Sequence, residues 1–378
     1  MAMSLSPVMT RAAGLDALAA FLAGPGADYA AARNTDRGPG TVPTTSALSP
    51  YLRRRLLTEE EVARAAIRAF GERGAEKFVS EIFWRTYFKG HLETHPEAWT
   101  RYLAGRDAAR ARLAAEPGLR RTHARAIAGE TGIDGFDAWA AQLVAEGWLH
   151  NHARMWFASI WIFTLRLPWE LGADVFLRHL LDGDPASNTL SWRWVAGLHT
   201  RGKHYLARRD NIREFTQGRH DPAGLDEHAA CLDEAMPPRE GPLSPADPAP
   251  DGPVALLLHL DDLHPESLPL GGARVMRVAG LTASVDGASD RVRAADAAAM
   301  ADALARAGEH FGCSVEPMGE GWAGDLPVVT AFAPVGPSAE ALPVGCSRIR
   351  RVWDERAWPL SNRGYSRLRG AIPKVMAV

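Results

Sequence analysis

The residues of this chain best suited to chemistry lie between positions 147 and 194. Six of its twelve tryptophans fall there: Trp148, Trp156, Trp161, Trp169, Trp192 and Trp194. Interleaved with them are His150, Asn151, His152 and Arg154, and an acidic turn, Asp182-Gly183-Asp184, precedes Asn188. An apolar run broken by Asn, His and Arg is costly to bury unless something satisfies those polar groups. A bound polar, aromatic ligand would do so; a plain helical core with internal hydrogen bonds is the other reading.

Two upstream stretches carry matching residue types. Thr44-Thr45-Ser46-Ala47-Leu48-Ser49-Pro50-Tyr51-Leu52 closes a Gly- and Pro-rich loop. Ser49 before Pro50 reads as a helix start with a capping hydroxyl. The same hydroxyls and free amides are equally suited to phosphate oxygens. Further on, Glu81 and Trp84 share a helix face with Arg85 beside them. They form either a core aromatic helix with a surface ion pair or a carboxylate and an indole presented together in a cavity. Metal chemistry has no support. His150 and His152 point apart on a helix, and Cys231, Cys313 and Cys346 stand far from one another, which also argues against a disulfide scaffold.

These residues need elements to hold them. GLDALAAFLAG (14–24) reads as an amphipathic helix stopped by Gly24-Pro25-Gly26. From 51 to about 125 the apolar spacing is helical, with helices predicted over 57–70, opened by a Thr58/Glu61 capping box, and over 78–92. Residues 197–220 lose that period and carry Arg201, Lys203, Arg208, Arg209, Arg213 and Arg219, a candidate polyanion-facing segment. A Pro- and Asp-rich linker follows. Strands are predicted over 254–260, 273–281 and 326–336, with an Ala-rich helix over 296–308. Strands alternating with helices imply a small, largely parallel α/β unit, and no Gly-rich phosphate motif marks it as a nucleotide binder. The fold class is therefore all-helical followed by α/β, divided as 1–28, an N-terminal helix; 29–226, the helical domain; 227–252, the linker; and 253–378, the α/β domain.

Composition is that of an ordinary globular protein, 46% hydrophobic and 23% charged. The net charge of −2 conceals a basic middle, since residues 51–220 hold 26 Lys+Arg against 20 Asp+Glu. Such a balance suits a polyanion, and it equally suits solvated helix faces. No signal peptide or run of about 18 apolar residues is present, which points to a cytoplasmic protein without a membrane span.

In register, the motifs resemble the flavin-binding domain of the DNA photolyase and cryptochrome family over roughly Tyr29 to Asp226. Thr45 to Leu52 is similar to its TS-x-LS-pyL phosphate loop, with Tyr29 ahead of it. Glu81 to Arg85 is similar to E-L-x-W-R, and Gly147-Trp148 to Met155 to GW-m-HN-x-x-R-M. Asp182 to Trp194 is similar to DGD-x-x-x-N-x-x-x-W-x-W. The resemblance implies FAD, folded into a U within an all-helical domain. Tyr29, Thr45, Ser46, Leu48, Ser49, Arg85, Trp148, Asn151, Arg154, Asp182, Asp184 and Asn188 would contact it. Of these, Thr45, Ser46, Leu48 and Ser49 would meet the pyrophosphate, and Asn188 would face the flavin N5. Trp192 and Trp169 match the first two members of an electron relay, whose third position has no Trp within 123–132.

The resemblance further implies a light-driven lyase acting on pyrimidine dimers in DNA. Glu81, Trp84, Asn151, Met155 and Trp194 would form the lesion pocket. A cryptochrome-type photoreceptor without repair activity is the alternative, and a flavin-retaining scaffold without photochemistry is a third. The family's α/β antenna domain normally comes first, whereas here an α/β segment follows the helices. An antenna chromophore is therefore unassigned, and no metal is expected.

Overall fold

The computed structural model describes residues 7–24, 26–41, 43–200, 202–234, 243 and 245–377. Pro25, Arg201 and much of the predicted linker lie outside the described residues. The helical half runs α1 (Arg11–Ala23), α2 (Tyr29–Ala32), α3 (Ser49–Arg53), α4 (Glu59–Thr94), α5 (Glu97–Ala115) and α6 (Pro117–Ala128). It continues with α7 (Phe136–Glu146), α8 (Asn151–Ser159), α9 (Trp169–His179), α10 (Pro185–Ala196) and α11 (Arg209–Phe215).

Local chemistry explains several boundaries. The Thr58 hydroxyl accepts from Glu61 N at 3.2 Å, so α4 starts where the capping box predicts. The helices predicted over 57–70 and 78–92 are two helical segments that meet at a kink, where Gly71 adopts φ 69°. Helical hydrogen bonding resumes past this glycine, a conformation that would strain other residues. Asp184 Oδ1 accepts from Ser187 N at 2.8 Å and Pro185 follows it, which fixes the start of α10.

The C-terminal half is a five-stranded, wholly parallel sheet in the order β3-β2-β1-β4-β5. Its elements are β1 (Gly252–His259), β2 (Ala273–Leu281), α12 (Asp290–Phe311), β3 (Ser314–Val315), β4 (Val328–Ala331), α13 (Pro337–Ala341) and β5 (Ser347–Ile349). Helices α14 (Val352–Ala357), α15 (Tyr365–Gly370) and α16 (Ile372–Met376) follow. The apolar run in β1 leaves Val254 to His259 buried, as a central parallel strand requires. β3 and β5 are too short to leave a pattern in the sequence.

The two halves share a core. One hydrophobic cluster joins α1 and α4 to β1, β2, α12 and α14; a second fills the space among α5 to α10. Trp353 of α14 packs on Phe83 of α4 at 4.8 Å and donates its indole N–H to Thr86 at 3.1 Å. The C-terminal half is thus seated, through α14, on the helix that carries Glu81, Trp84 and Arg85. Among the described residues, no helix is long and apolar enough to cross a membrane.

Candidate functional site

The acidic turn that starts α10 is where the predicted residues converge. Arg154, one turn into α8, donates to Leu149 O and to Asp182 Oδ2, both at 2.9 Å. Arg85 of α4 lies 3.5 Å from Asp184 and also pairs with Glu59 at 3.3 Å. Lys89, one turn further along α4, stands 3.3 Å from Asp184 and is 1% exposed. Burial pushes both carboxyls up, but the cations outweigh it and hold them below the usual carboxylate range. Arg154 does so for Asp182; Lys89, Arg85 and Arg53 do so for Asp184.

Despite these cations the turn is not hydrogen-bond saturated. Asp182 Oδ1, Asp184 Oδ2 and Ser187 Oγ are buried without a hydrogen-bond partner among the described residues. Buried polar atoms are normally partnered, so three orphans around one turn are the pattern of a site built for a polar ligand.

The Thr45–Ser49 loop lies on the same side. Ala47 adopts φ 53°, turning the chain so that Leu48 is fully buried while Thr45, Ser46 and Ser49 stay half-buried. The Ser46 hydroxyl accepts from Leu48 N at 3.4 Å. Ser49 does not cap: α3 takes Leu48 as its N-cap, and no side chain among the described residues satisfies the helix start. The Ser49 hydroxyl instead helps stabilise the ionised Asp182. Asn188 is buried with its side-chain amide donating to Ala173 O at 2.9 Å, which fixes the direction of its carbonyl oxygen. Trp148 is half-buried, edge-on to His150. Tyr29 is held between Phe21 and Phe78, its hydroxyl pushed up by burial with Glu81 nearby.

The residues predicted for a lesion pocket are less convergent. Glu81 pairs with Arg33 at 3.0 Å and Lys77 at 3.4 Å. Trp84 stacks on Tyr365 of α15, with ring centroids 3.7 Å apart and planes within 15°. Trp194 stacks on Tyr205 at 5.8 Å, and Asn151 is exposed with its amide 3.9 Å from the Met155 sulfur.

The tryptophans make the following ring contacts. Trp192 meets Trp161 edge-on at 6.4 Å and Phe176 at 5.1 Å. Among the described residues no ring contact joins it to Trp169, which packs on Tyr102 at 5.8 Å. Trp161 in turn meets His123 at 5.6 Å, on the helix where the third relay position falls. Gly172 permits this geometry, since a Cβ there would collide with the Trp192 ring.

Sequence reasoning passed over Lys89, Ser187, Arg53 and Tyr365. Lys89 was within reach, being four residues beyond Arg85 on one helix face. The other three depend on tertiary contact. Below Trp84, Tyr87 donates or accepts at His199 (3.1 Å) and His91 stacks on His95 at 4.1 Å. Burial pushes the His91 imidazole down to about 3 and His199 to about 4. Among the described residues no group of three or more His, Cys, Asp or Glu could hold a metal.

Part of the chain is similar to known proteins. Residues 78–225 match the family described as the FAD binding domain of DNA photolyase. The deoxyribodipyrimidine photo-lyase of Streptomyces griseus is 37% identical over 226 residues, covering 56% of this chain and 47% of that protein. The enzyme of the same name from Thermus thermophilus is 36% identical over 214 residues, covering 56% and 48%. A bacterial class III photolyase structure from Agrobacterium tumefaciens aligns with TM-score 0.47 and 28% identity, over 55% of this chain and 43% of that one. The chain therefore spans about half the length of the curated relatives it matches.

Proposed function

We propose, from the match of residues 78–225 to the FAD binding domain of DNA photolyase, that the chain uses blue light and FAD to split pyrimidine dimers in DNA. The observation that carries the reading is the acidic turn. Its buried oxygens on Asp182, Asp184 and Ser187 lack hydrogen-bond partners among the described residues. They face cations on α4 and α8 beside a hydroxyl-bearing loop. That donor and acceptor set fits a flavin dinucleotide: carboxylates for N–H groups, Ser and Thr hydroxyls for phosphate oxygens, arginines for the ring edges.

When bound in its reduced form, FAD supplies an electron upon excitation by light. The protein's own groups prepare the site for it. Arg154 fixes Asp182, and Lys89 and Arg85 keep Asp184 ionised. Asn188, anchored on Ala173 O, presents its carbonyl oxygen. Ser49 does not cap α3 and turns its hydroxyl to Asp182, beside the loop suited to phosphate. On the substrate side, Trp84 and Trp194 offer flat faces, each capable of contributing about 1–3 kcal/mol by stacking on a base drawn out of the duplex. Glu81 offers a carboxylate where negative charge would develop, at the position of the base edge. Trp192 and Trp161 form the aromatic pair through which an oxidised cofactor would be re-reduced.

A photoreceptor of the cryptochrome type is the second reading, and one observation favours it. Tyr365 covers Trp84 and Arg33 engages Glu81, so lesion-side groups are occupied within the chain. One experiment separates the two. Reduced protein is illuminated with dimer-containing single- and double-stranded DNA, and the dimer is followed. Loss of dimer by the wild type, abolished by Trp84→Ala, supports repair. Photoreduction of FAD without dimer loss supports the photoreceptor, and protein that carries no FAD defeats both.

A further inference from the structure

In doubly wound parallel sheets, ligands bind beyond the carboxyl ends of the strands where the strand order reverses. Here that point lies between β1 and β4, just past His259. The crevice is not free. It receives the Arg53-Arg54-Arg55 turn of the helical half, and two consecutive carboxylates divide the incoming cations. Asp262 takes Arg351 at 2.6 Å and Arg55 at 3.3 Å. Asp261 takes Arg53 at 2.7 Å and Lys89 at 3.3 Å.

The partners of Asp261 are those that touch the acidic turn. Arg53 donates its Nε to Gly183 O at 2.7 Å, and Lys89 stands 3.3 Å from Asp184. These side chains are at most 8% exposed, so their charges interact with little screening. Lys89 is thus shared between a carboxylate of the sheet and one of the turn. Lys89 is equidistant from the two, 3.3 Å from each, so Asp261 limits how fully it pairs with Asp184.

We propose that Asp261 is a positioning residue for the cofactor: through Lys89 and Arg53 it holds the Gly183–Asp184 turn in place and draws part of the Lys89 charge away from the Asp184 oxygen that would accept from FAD. The proposal rests on reading that turn as part of the flavin site. It gives the sheet's ligand crevice a different task, that of bracing the site next door. Neutralising Asp261 leaves one excess positive charge. Lys89 then pairs fully with Asp184, and Arg53 loses the anchor that directs it to Gly183.

The test compares full-length wild type with Asp261→Asn, Asp261→Glu, Asp262→Asn and Lys89→Gln. FAD content, FAD affinity on re-addition, flavin midpoint potential and thermal unfolding are measured. Asp261→Asn is expected to bind FAD about tenfold more weakly, the scale of coupling between directly contacting charges. Its midpoint potential should rise, because added positive charge favours the reduced flavin. Asp261→Glu should recover most of both properties. Lys89→Gln should move the potential the opposite way. Asp262→Asn should lower the unfolding temperature while leaving the affinity and potential of the folded protein unchanged. Wild-type affinity and potential in folded Asp261→Asn overturn the proposal, as does an equal flavin effect in Asp262→Asn. If Asp261→Asn does not accumulate, an unchanged potential in Lys89→Gln overturns it alone. A wild type that takes up no FAD overturns the flavin reading instead.

Discussion

Two acidic pairs stand little more than one cation apart in this molecule, and they are built differently. Asp182 and Asp184 are separated by a glycine, sit at a helix start and retain oxygens without a hydrogen-bond partner among the described residues. Asp261 and Asp262 are adjacent, sit at a strand end and are met by Arg53, Lys89, Arg55 and Arg351. Both pairs are buried and both are held ionised by cations. The difference lies in what is left over. Asp262 accepts on both oxygens and Asp261 twice on Oδ1, so this pair braces structure, whereas Asp182 Oδ1 and Asp184 Oδ2 lack a hydrogen-bond partner among the described residues and can receive something the chain lacks. Burial and charge alone do not separate the two cases; the remaining hydrogen-bonding capacity does.

The largest test of that contrast is Arg55→Ala. Arg55 adopts φ 50° and pairs with Glu59, Asp262 and Asp354. That left-handed conformation costs about 1–2 kcal/mol, which the ion pairs offset. Loss of the guanidinium removes both of its hydrogen bonds to Asp354 and leaves Glu59 to Arg85 and Asp262 to Arg351, and the denaturant midpoint should report about 3–5 kcal/mol of lost stability. At the turn the balance reverses. Asp182→Asn should cost only about 1–2 kcal/mol of stability yet weaken FAD binding about tenfold, read by flavin absorbance and titration. Equal stability losses in the two variants would dissolve the comparison.

Acid sharpens it further. His91 and His199 titrate in the native protein at about 3 and 4, well below an unfolded imidazole near 6.5. Below about pH 6.5 the unfolded state therefore binds more protons than the native one, and stability falls as pH drops from there towards about 4. The depressed carboxyls Asp184, Asp261 and Asp262 add their loss only below about pH 4, the range of an unfolded carboxyl. Thermal unfolding against pH should show the first decline, and His199→Gln should flatten it. The smallest effect is expected from Ser49→Ala. Ser49 does not cap α3. Stability should therefore move by only about 0.5–1.5 kcal/mol, the loss of one hydrogen bond to Asp182, while FAD affinity falls several-fold.

The helical half was legible because its chemistry is written in short range. The loop Thr45–Ser49, the triad of Glu81, Trp84 and Arg85, and the turn Asp182–Asp184 are local groupings, and three long elements bring them together. The sheet was legible in β1 and β2, where buried runs are long enough to show, and illegible in β3 and β5. Hidden from the sequence were the contacts between halves. Nothing near Arg53 announces Asp261, and nothing near Trp84 announces Tyr365. The exchange of Trp169 for Trp161 beside Trp192 has a similar cause. Helix crossing angles, set by how closely Gly172 lets α9 approach, decide which indole is the neighbour.

The triple-arginine turn also has a consequence for synthesis. Arg53, Arg54 and Arg55 find their carboxylates 208, 242 and 299 residues later in the chain. At ribosomal rates of about 5–20 residues per second, Arg55 waits roughly 15 to 60 seconds for Asp354 to be made. Throughout that interval the turn is a cationic, unburied segment. Contacts of such sequence separation also form slowly even in a finished chain. The helical bundle can assemble early around its tryptophans, but the brace behind the acidic turn closes last. Competence to retain a flavin should therefore arrive only with the final strand and helices, making cofactor uptake a late checkpoint of folding.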